Sequence, residues 1–337
     1  MQIYPWHAAA WAELGRYRAQ LPHAILIRGA EGTGGEALGR TFAESLLCES
    51  AAADAFPCGK CPACNWMAQG NHPDLRVLQP ESLAAEPAPD SDEAPAPAAR
   101  KEKKSEQIRI DQVRELQDFL AIGTHRAGLR VVLVHPAEAM NPNTQNALLK
   151  SLEEPPPGTV FVLVAGNTER LLPTVRSRCI ALELPAAGRE ASLAWLKEQG
   201  VTDPEALLAA AGGAPLAALE LAGLAEARER LISGLRDPKV DALELAERAQ
   251  GVPPVHLVAW LQRWCYDLLA ARLGGPIRYH PKYERYIAET SRRSRASELA
   301  GYLRSLAEAR SLAQHPLNAR LFAEDLLIRY RALTSGS

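Results

Sequence analysis

The sequence lacks any long uninterrupted hydrophobic run. Its longest apolar stretch, residues 206–219, is broken by Gly212, Gly213 and Pro215, and no run reaches the roughly 18 residues that a membrane-spanning helix needs. The first residues, MQIYPWHAAAW, also lack the basic and apolar regions of a signal peptide. We therefore expect neither membrane insertion nor secretion.

An excess of charge of either sign is also missing. The 337 residues contain 38 Lys and Arg against 40 Asp and Glu, which gives a formal net charge of −2. This balance excludes a protein that is basic overall, although local basic patches remain possible. The length indicates two or three domains, at about 100–200 residues each.

Cysteine is scarce but clustered. Of six cysteines, Cys179 and Cys265 stand apart and are interpreted as small core residues. The other four occur together, as Cys58-x2-Cys61-x2-Cys64 with Cys48 shortly before. Four thiolates with this spacing predict a closed, structural Zn²⁺ site. An iron–sulfur cluster and a set of unliganded thiols are the alternatives.

Apolar strands alternate with helices in the first half of the chain. Continuous apolar segments at 24–27, 131–134, 160–164 and 180–184, with a shorter one at 75–78, predict a parallel sheet covered by helices on both faces. After Pro185 the pattern is helical only. Between residues 80 and 99 there are five Pro, five acidic residues, seven Ala and no basic residue. This composition predicts a disordered insertion over 80–107.

A glycine-rich turn follows the first strand, in the position of a nucleotide-binding loop. When G-x-x-x-x-G-K-[ST] is aligned on Gly29 and Gly34, the lysine position holds Gly35 and the hydroxyl position holds Glu36. Loss of the cation and gain of a carboxylate both oppose binding of Mg·ATP. The same residues also resemble a loose dinucleotide fingerprint, but the second strand that this fingerprint requires is replaced by the cysteine cluster. We favour a turn retained for its shape.

Two longer strings carry a resemblance to a known family. The strings are NALLKSLEEPP at 146–156 and LLPTVRSRC at 171–179, which accompany HAILI at 23–27 and the four cysteines. Together they resemble the AAA+ clamp-loader family of bacterial DNA polymerase III over residues 1–220. The resemblance implies an α/β AAA+ fold (a RecA-like parallel sheet with flanking helices) at 1–186, which contains the zinc module 48–64. It further implies a small helical lid at 187–222 and an all-α collar, or oligomerisation, domain at 223–337. The insertion 80–107 is not part of the family pattern.

Other ATPase motifs of this family are altered as well. The acidic pair that binds Mg²⁺ and activates water aligns with His135 and Pro136, and the phosphate-sensing arginine of the lid aligns with Leu216. We therefore expect that this subunit neither binds nor hydrolyses ATP. An active ATPase with a divergent nucleotide site is one alternative.

The motif Ser177-Arg178-Cys179 is retained. In the family its arginine reaches the ATP of a neighbouring subunit, so the resemblance implies that Arg178, within the motif begun by Ser177, is an arginine finger acting in trans. The alternative is a solvated cation at a helix end. Arg176 is a weaker candidate for the same surface.

The resemblance implies a non-catalytic clamp-loader subunit of the DNA polymerase III holoenzyme, a nucleotidyltransferase complex. Its partners would be the gamma/tau ATPase subunits, the delta subunit, the sliding clamp and primer–template DNA, in the cytoplasm at a nucleoid-associated replisome. A zinc-dependent nucleic-acid-binding module unrelated to replication is a further alternative. The basic stretch 272–295, with Tyr279, Tyr283 and Tyr286, is interpreted as a solvated helical face rather than as a DNA contact.

Overall fold

Five strands form one parallel sheet in the first part of the chain. They are β1 (Ala24–Arg28), β2 (Leu75–Leu78), β3 (Arg130–Val134), β4 (Thr159–Ala165) and β5 (Ile180–Glu183), in the order β2-β3-β4-β1-β5. In this computed structural model the described residues are 3–50, 56–84, 104–122, 128–313, 315 and 317–334. Every residue of β3 and β4 is buried, as expected of parallel strands with both faces covered.

Helices cover both faces of this sheet. They are α1 (Ala8–Tyr17), α2 (Gly35–Leu47), α3 (Pro62–Ala68), α4 (Ile110–Ala121), α5 (Pro142–Glu153) and α6 (Pro173–Arg176). Alternate strand residues point to opposite faces. Ile25 and Ile27 therefore pack in one apolar cluster with α1, α2 and α3, whereas Ala24 and Leu26 pack in another with α4, α5 and α6.

The chain divides into two units, Met1–Ala186 and Ala187–Ser337. The described residues of the second unit contain helices and no strand. The helices are α7 (Arg189–Glu198), α8 (Pro204–Ala210), α9 (Pro215–Ala222), α10 (Ala225–Arg236), α11 (Ala242–Arg248), α12 (Pro254–Arg272), α13 (Glu284–Arg293), α14 (Ala296–Leu312) and α15 (Ala319–Thr334). In the core of this unit Trp264 Nε1 donates to the Tyr330 hydroxyl over 2.9 Å.

These observations confirm the predicted α/β architecture, a parallel sheet with flanking helices that is followed by a helical region. The separation of the second unit into a lid and a collar at residue 222 stays a prediction. Among the described residues no single helix is long and apolar enough to span a membrane; α8 and α9 meet that criterion only when taken together, and they are bent by 113° at their junction.

The two ends of the predicted insertion are hydrogen-bonded to each other. Ser82 N donates to Ser105 O, and Ser105 N donates to the Glu81 carboxylate, each over 3.1 Å. Ile108 then forms a parallel bridge with Met140. The prediction of disorder over 80–107 is therefore wrong for its two ends, 80–84 and 104–107, which are held by these contacts. The rest of the predicted segment, 85–103, lies outside the described residues.

Candidate functional site

The glycine-rich turn joins β1 to α2. Gly34 is the N-terminal cap of α2, with φ of +86°, a conformation that glycine adopts at no steric cost. Inside the turn both the backbone N and the Oγ1 of Thr33 donate to Ala30 O, over 3.2 and 2.6 Å. These contacts give the tight shape that the sequence predicted.

The N-terminal segment closes over this turn. Trp6 Nε1 and His7 Nε2 both donate to the carbonyl of Thr33 over 2.8 Å. The donor role of His7 Nε2 follows from its other nitrogen, Nδ1, which accepts from Tyr4 N at 3.4 Å. Burial lowers the pKa of His7, against a smaller raising effect of the Thr33 carbonyl, so the ring is held neutral near physiological pH.

Side chains of the protein itself occupy the space beside the turn. A Cβ placed on Gly34 would lie 2.6 Å from two carbons of the Tyr4 ring, and one on Gly29 would lie 2.8 Å from Leu184 Cβ. At Gly35 a Cβ would approach Val164 Cγ1 to 3.1 Å. A side chain at Gly29 or Gly34 would therefore collide with its neighbours whether or not a phosphate is bound, whereas at Gly35 Val164 would need to give by only a few tenths of an ångström.

An acidic and histidine cluster lies beside the glycine-rich turn. Glu36, in the first turn of α2, has a carboxylate oxygen 3.4 Å from His135 Nε2 and another 3.8 Å from Arg40. Burial lowers the pKa of His135, against the raising effect of Glu36. Pro136 precedes a short helical turn in which Glu138 accepts from the amides of Gly166 and Asn167, over 2.8 and 2.9 Å.

Sequence reasoning missed Tyr4, Trp6, His7 and Glu138 at this site. The contacts of Trp6 and His7 with Thr33 join residues 27 and 26 positions apart, a separation that no periodic pattern encodes. The only available signal was the aromatic start of the chain, where Tyr4 and Trp6 stack with ring centroids 5.1 Å apart.

The four clustered cysteines meet at one point, as predicted. Cys48, Cys58, Cys61 and Cys64 have Sγ atoms that all lie within 4.8 Å of one another. The Cys48–Cys61 and Cys58–Cys64 Sγ distances are both 3.9 Å. Regular tetrahedral coordination with Zn–S bonds of about 2.3 Å separates sulfurs by about 3.8 Å. The donor set and its spacing therefore fit a zinc ion.

Backbone amides around the cysteines favour the thiolate form. Lys60 N and Cys61 N donate to Cys58 Sγ over 3.4 and 3.3 Å, and these bonds lower the pKa of Cys58 to about 6. Cys58 N donates to Cys48 Sγ, and Cys64 N to Cys61 Sγ. Burial raises the pKa of Cys64. Cys61 and Cys64 also pack in the apolar cluster of α2, so the module rests on the sheet core.

Arg178 lies at the surface just after α6. Its Nη1 donates to Thr174 O over 2.8 Å, and its Nη2 is 2.5 Å from a carboxylate oxygen of Glu153, at the end of α5. The Arg178 side chain is 34% exposed. Ser177 Oγ donates to Thr174 O over 3.2 Å and fastens the same turn. Glu153 as the partner of Arg178 was not predicted.

The two isolated cysteines differ in burial. Cys265 is fully buried, as expected of a core residue, whereas Cys179, which follows Arg178, is partly buried at the edge of the apolar cluster of α4, α5 and α6. Burial raises the pKa of the Cys179 thiol to about 12 and that of Cys265 still further. Leu216 lies in the first turn of α9, half-buried, in the second unit.

Comparison with known proteins decides the family. The family model described as "DNA polymerase III, delta subunit" matches residues 13–187. The chain is 37% identical over 345 residues to "DNA polymerase III subunit delta'" of Pseudomonas aeruginosa, with 98% of each chain covered. It is 30% identical over 340 residues to the protein of that name from Escherichia coli K12, covering 98% of this chain and 95% of the relative. The chain belongs to the delta' subunit family of bacterial DNA polymerase III.

A solved structure of a gamma subunit-related protein of DNA polymerase III from Thermotoga maritima aligns with 96% of this chain and 99% of its own. The TM-score is 0.47 at 18% identity, a likeness too distant to add to the assignment. Within this delta' family member the predicted residues fall in three places of the first unit: the glycine-rich turn with Glu36 and His135, the cysteine cluster, and the Ser177–Arg178 turn.

Proposed function

We propose that this chain is a non-hydrolysing clamp-loader subunit that helps to place the sliding clamp on primed DNA during replication. Membership of the delta' family supports this role, because its relatives are named as subunits of DNA polymerase III. The role implies the gamma/tau ATPase subunits, the delta subunit, the clamp and primer–template DNA as partners, and a cytoplasmic location at the replisome. Membership of the delta' family also weighs against the alternative of a zinc module unrelated to replication.

The surroundings of the glycine-rich turn support the absence of ATP hydrolysis. A phosphate at this turn would meet the carboxylate of Glu36 in place of the lysine and hydroxyl of a phosphate-binding loop. His135 and Pro136 provide no carboxylate to hold Mg²⁺ or to polarise a water molecule. Phosphate binding, Mg²⁺ binding and water activation each lose a different group, so replacing one group would not restore ATP hydrolysis. The alternative of an active ATPase with a divergent site would require Mg·ATP to bind despite them.

We infer the proposed contribution to catalysis from the position of Arg178. Its guanidinium is partly exposed, and Thr174 and Glu153 engage two of its five N–H donors. A surface arginine on a short, fastened turn can reach a nucleotide bound by a neighbouring subunit and neutralise charge that develops on its γ-phosphate. Arg178 then acts in trans, and Ser177 positions the turn.

The test is the DNA- and clamp-stimulated ATPase of a reconstituted loader containing either the unaltered subunit or Arg178→Ala. Arginine fingers contribute about 10³–10⁵ in rate, so the one neighbouring site should become nearly silent while total ATPase falls only in part. Arg178→Lys should restore little, because an ammonium cannot form the planar fork. Equal ATPase and equal clamp loading with Arg178→Ala would reject the finger.

We also propose that the cysteine cluster holds one structural Zn²⁺. Cys48, Cys58, Cys61 and Cys64 would be its four ligands, and no coordination position would remain open for a substrate. Zinc would then link the end of α2 to the start of α3 rather than take part in catalysis. An iron–sulfur cluster in the same ligands would show visible absorption, which zinc does not.

A further inference from the structure

Arg236, the last residue of α10, has a guanidinium that lies over two tyrosine rings. Its Cζ is 4.7 Å from the centroid of Tyr283 and 5.9 Å from that of Tyr286. The Nε atom is buried and has no hydrogen-bond acceptor. Within the described part of the chain, no hydrogen bond or ion pair engages this guanidinium. A planar cation is thus held in place with its donors unused.

The rings beneath Arg236 are themselves fixed. The Tyr283 hydroxyl donates to both carboxylate oxygens of Glu229, at 2.7 and 2.6 Å. Burial, together with this contact, raises the pKa of Tyr283 to about 12, so the hydroxyl remains a donor throughout the physiological range. The Tyr286 hydroxyl donates to Leu235 O over 3.4 Å. Arg236 therefore rests on a rigid aromatic support.

Two adjoining clefts share Arg236 and Tyr286. One, of about 360 Å³, is also bordered by Ser233, Asp237 and Pro238. The other, of about 280 Å³, is bordered by Lys282, Tyr283, Arg285 and Glu289. Lys282 and Arg285 are exposed. We call Arg236, Lys282, Arg285, Tyr283 and Tyr286 the Arg236 patch.

The acidic residues near the patch are already engaged. Asp237 accepts from Lys239 N over 2.9 Å, and Glu289 pairs with Arg293 at 2.9 Å. Lys282 has an exposed carboxylate 4.0 Å away, on Asp203. Among the described residues Arg236 and Arg285 have no carboxylate partner. Two guanidinium groups of the patch, those of Arg236 and Arg285, thus lie beside the clefts without a carboxylate partner in the ranges that the structure describes, while Asp237 keeps its own negative charge at the border of one cleft.

We propose that the Arg236 patch binds successive backbone phosphates of single-stranded nucleic acid. Arg236 has the fork that matches two oxygens of one phosphate, and Lys282 and Arg285 can neutralise the next phosphates along the strand. A free phosphate would need only one cleft, whereas two clefts that meet at Arg236 suit a chain of anions. This site is separate from the proposed ATPase contribution of Arg178 and uses none of its residues.

The test is binding of fluorescent oligo(dT) to the full chain, measured by anisotropy between about 50 and 200 mM salt. Contacts with three phosphates predict a slope of log affinity against log salt of about −2, since each contact on a single strand contributes about −0.7. Arg236→Gln should weaken binding about tenfold or more and make the slope shallower by about 0.7. Lys282→Gln with Arg285→Gln should make it shallower by about 1.4.

Arg304→Gln is the matched control, because Arg304 is an exposed arginine on α14 of the same unit. It should leave affinity and slope unchanged. Thermal melting of each variant identifies any loss of fold, and the exposed Lys282/Arg285 pair keeps the test valid if Arg236→Gln unfolds. Absence of oligo(dT) binding to the unaltered chain, or equal losses from Arg304→Gln, would overturn the proposal. So would inorganic phosphate or poly-glutamate competing as strongly, per charge, as oligo(dT).

Discussion

The ion pair between Arg178 and Glu153 offers a way to separate a structural role of this arginine from a role in trans. Both Arg178→Ala and Glu153→Gln remove the pair, but only the first removes the guanidinium. If Arg178 serves only to hold Glu153, the two variants should behave alike in the loader's ATPase. If it acts on a neighbour's nucleotide, both variants should lose little stability, and only Arg178→Ala should lose activity.

The expected loss of stability is small. The two side chains are 34% and 46% exposed, and pairs of this kind contribute about 0.2–1 kcal/mol because water screens them. For a unit of nearly 200 residues, 1 kcal/mol corresponds to a melting shift of about 2–4 °C. Arg178→Ala also removes the bond to Thr174 O, which adds about 0.5–1.5 kcal/mol at most. Both variants should therefore remain folded at 25 °C.

The expected loss of activity is much larger for one variant only. A finger worth about 10³–10⁵ in rate corresponds to about 4–7 kcal/mol at the site it serves. Loaders reconstituted with Glu153→Gln should keep their stimulated ATPase, because the freed arginine can still reach the nucleotide. Loaders with Arg178→Ala should lose the contribution of one site. Equal ATPase losses in both loaders, at matched melting temperatures, would refute the reasoning.

Four further outcomes are expected. Purified protein should contain about one zinc per chain by elemental analysis. Cys61→Ser should lose most of this zinc, whose binding contributes on the order of 10 kcal/mol, while circular dichroism should show that the sheet survives. Retention of the metal by Cys61→Ser would exclude Cys61 as a ligand. Calorimetry should detect no micromolar Mg·ATP binding, before or after Gly35→Lys. Replacing residues 85–103 by a short Gly/Ser linker should leave assembly intact, since loop closure costs only about 0.6 kcal/mol per doubling of length; a variant that fails to assemble would identify the segment as a binding element. Burial lowers the pKa of His280 in the folded state. As the pH falls through about 6.5 the unfolded chain therefore binds more protons than the folded chain, and the stability should decrease. His280→Gln should reduce the difference between the melting temperatures at pH about 7.5 and 5.5, and an unchanged difference would contradict this prediction.

The fold could be predicted because its information is local. Continuous apolar segments such as 160–164 identify buried parallel strands, and proline and glycine mark where the helices of the second unit end. The cysteine cluster could also be predicted, since three of its members lie within seven residues and short spacing limits where their sulfurs can go. Both predictions depend only on residues that are close to one another along the chain.

The contacts that define the site could not be predicted in the same way. Glu153 ends α5 and Arg178 lies in the turn after α6, 25 positions further along the sequence. His7 reaches Thr33 only because the N-terminal segment folds back over the turn. Such pairings depend on how elements pack in three dimensions, and no residue periodicity carries them. Four residues of the Arg236 patch lie in the basic stretch 272–295, which the sequence alone indicated to be a solvated face. Only Arg236 lies outside that stretch, and its stacking on Tyr283 and Tyr286 is a contact between separate helices.

The glycine-rich turn is held in its shape by packing that requires no bound nucleotide. A conserved function is not needed to explain Gly34, because a side chain there would collide with the Tyr4 ring and would force a non-glycine residue to a φ of +86°. A Cβ placed on Gly35 would lie 3.1 Å from Val164 Cγ1, so Val164 would have to give by a few tenths of an ångström to admit a lysine at this position. The packing around the turn thus adds a small cost to a lysine at this position, which agrees with our expectation that Gly35→Lys alone does not create Mg·ATP binding.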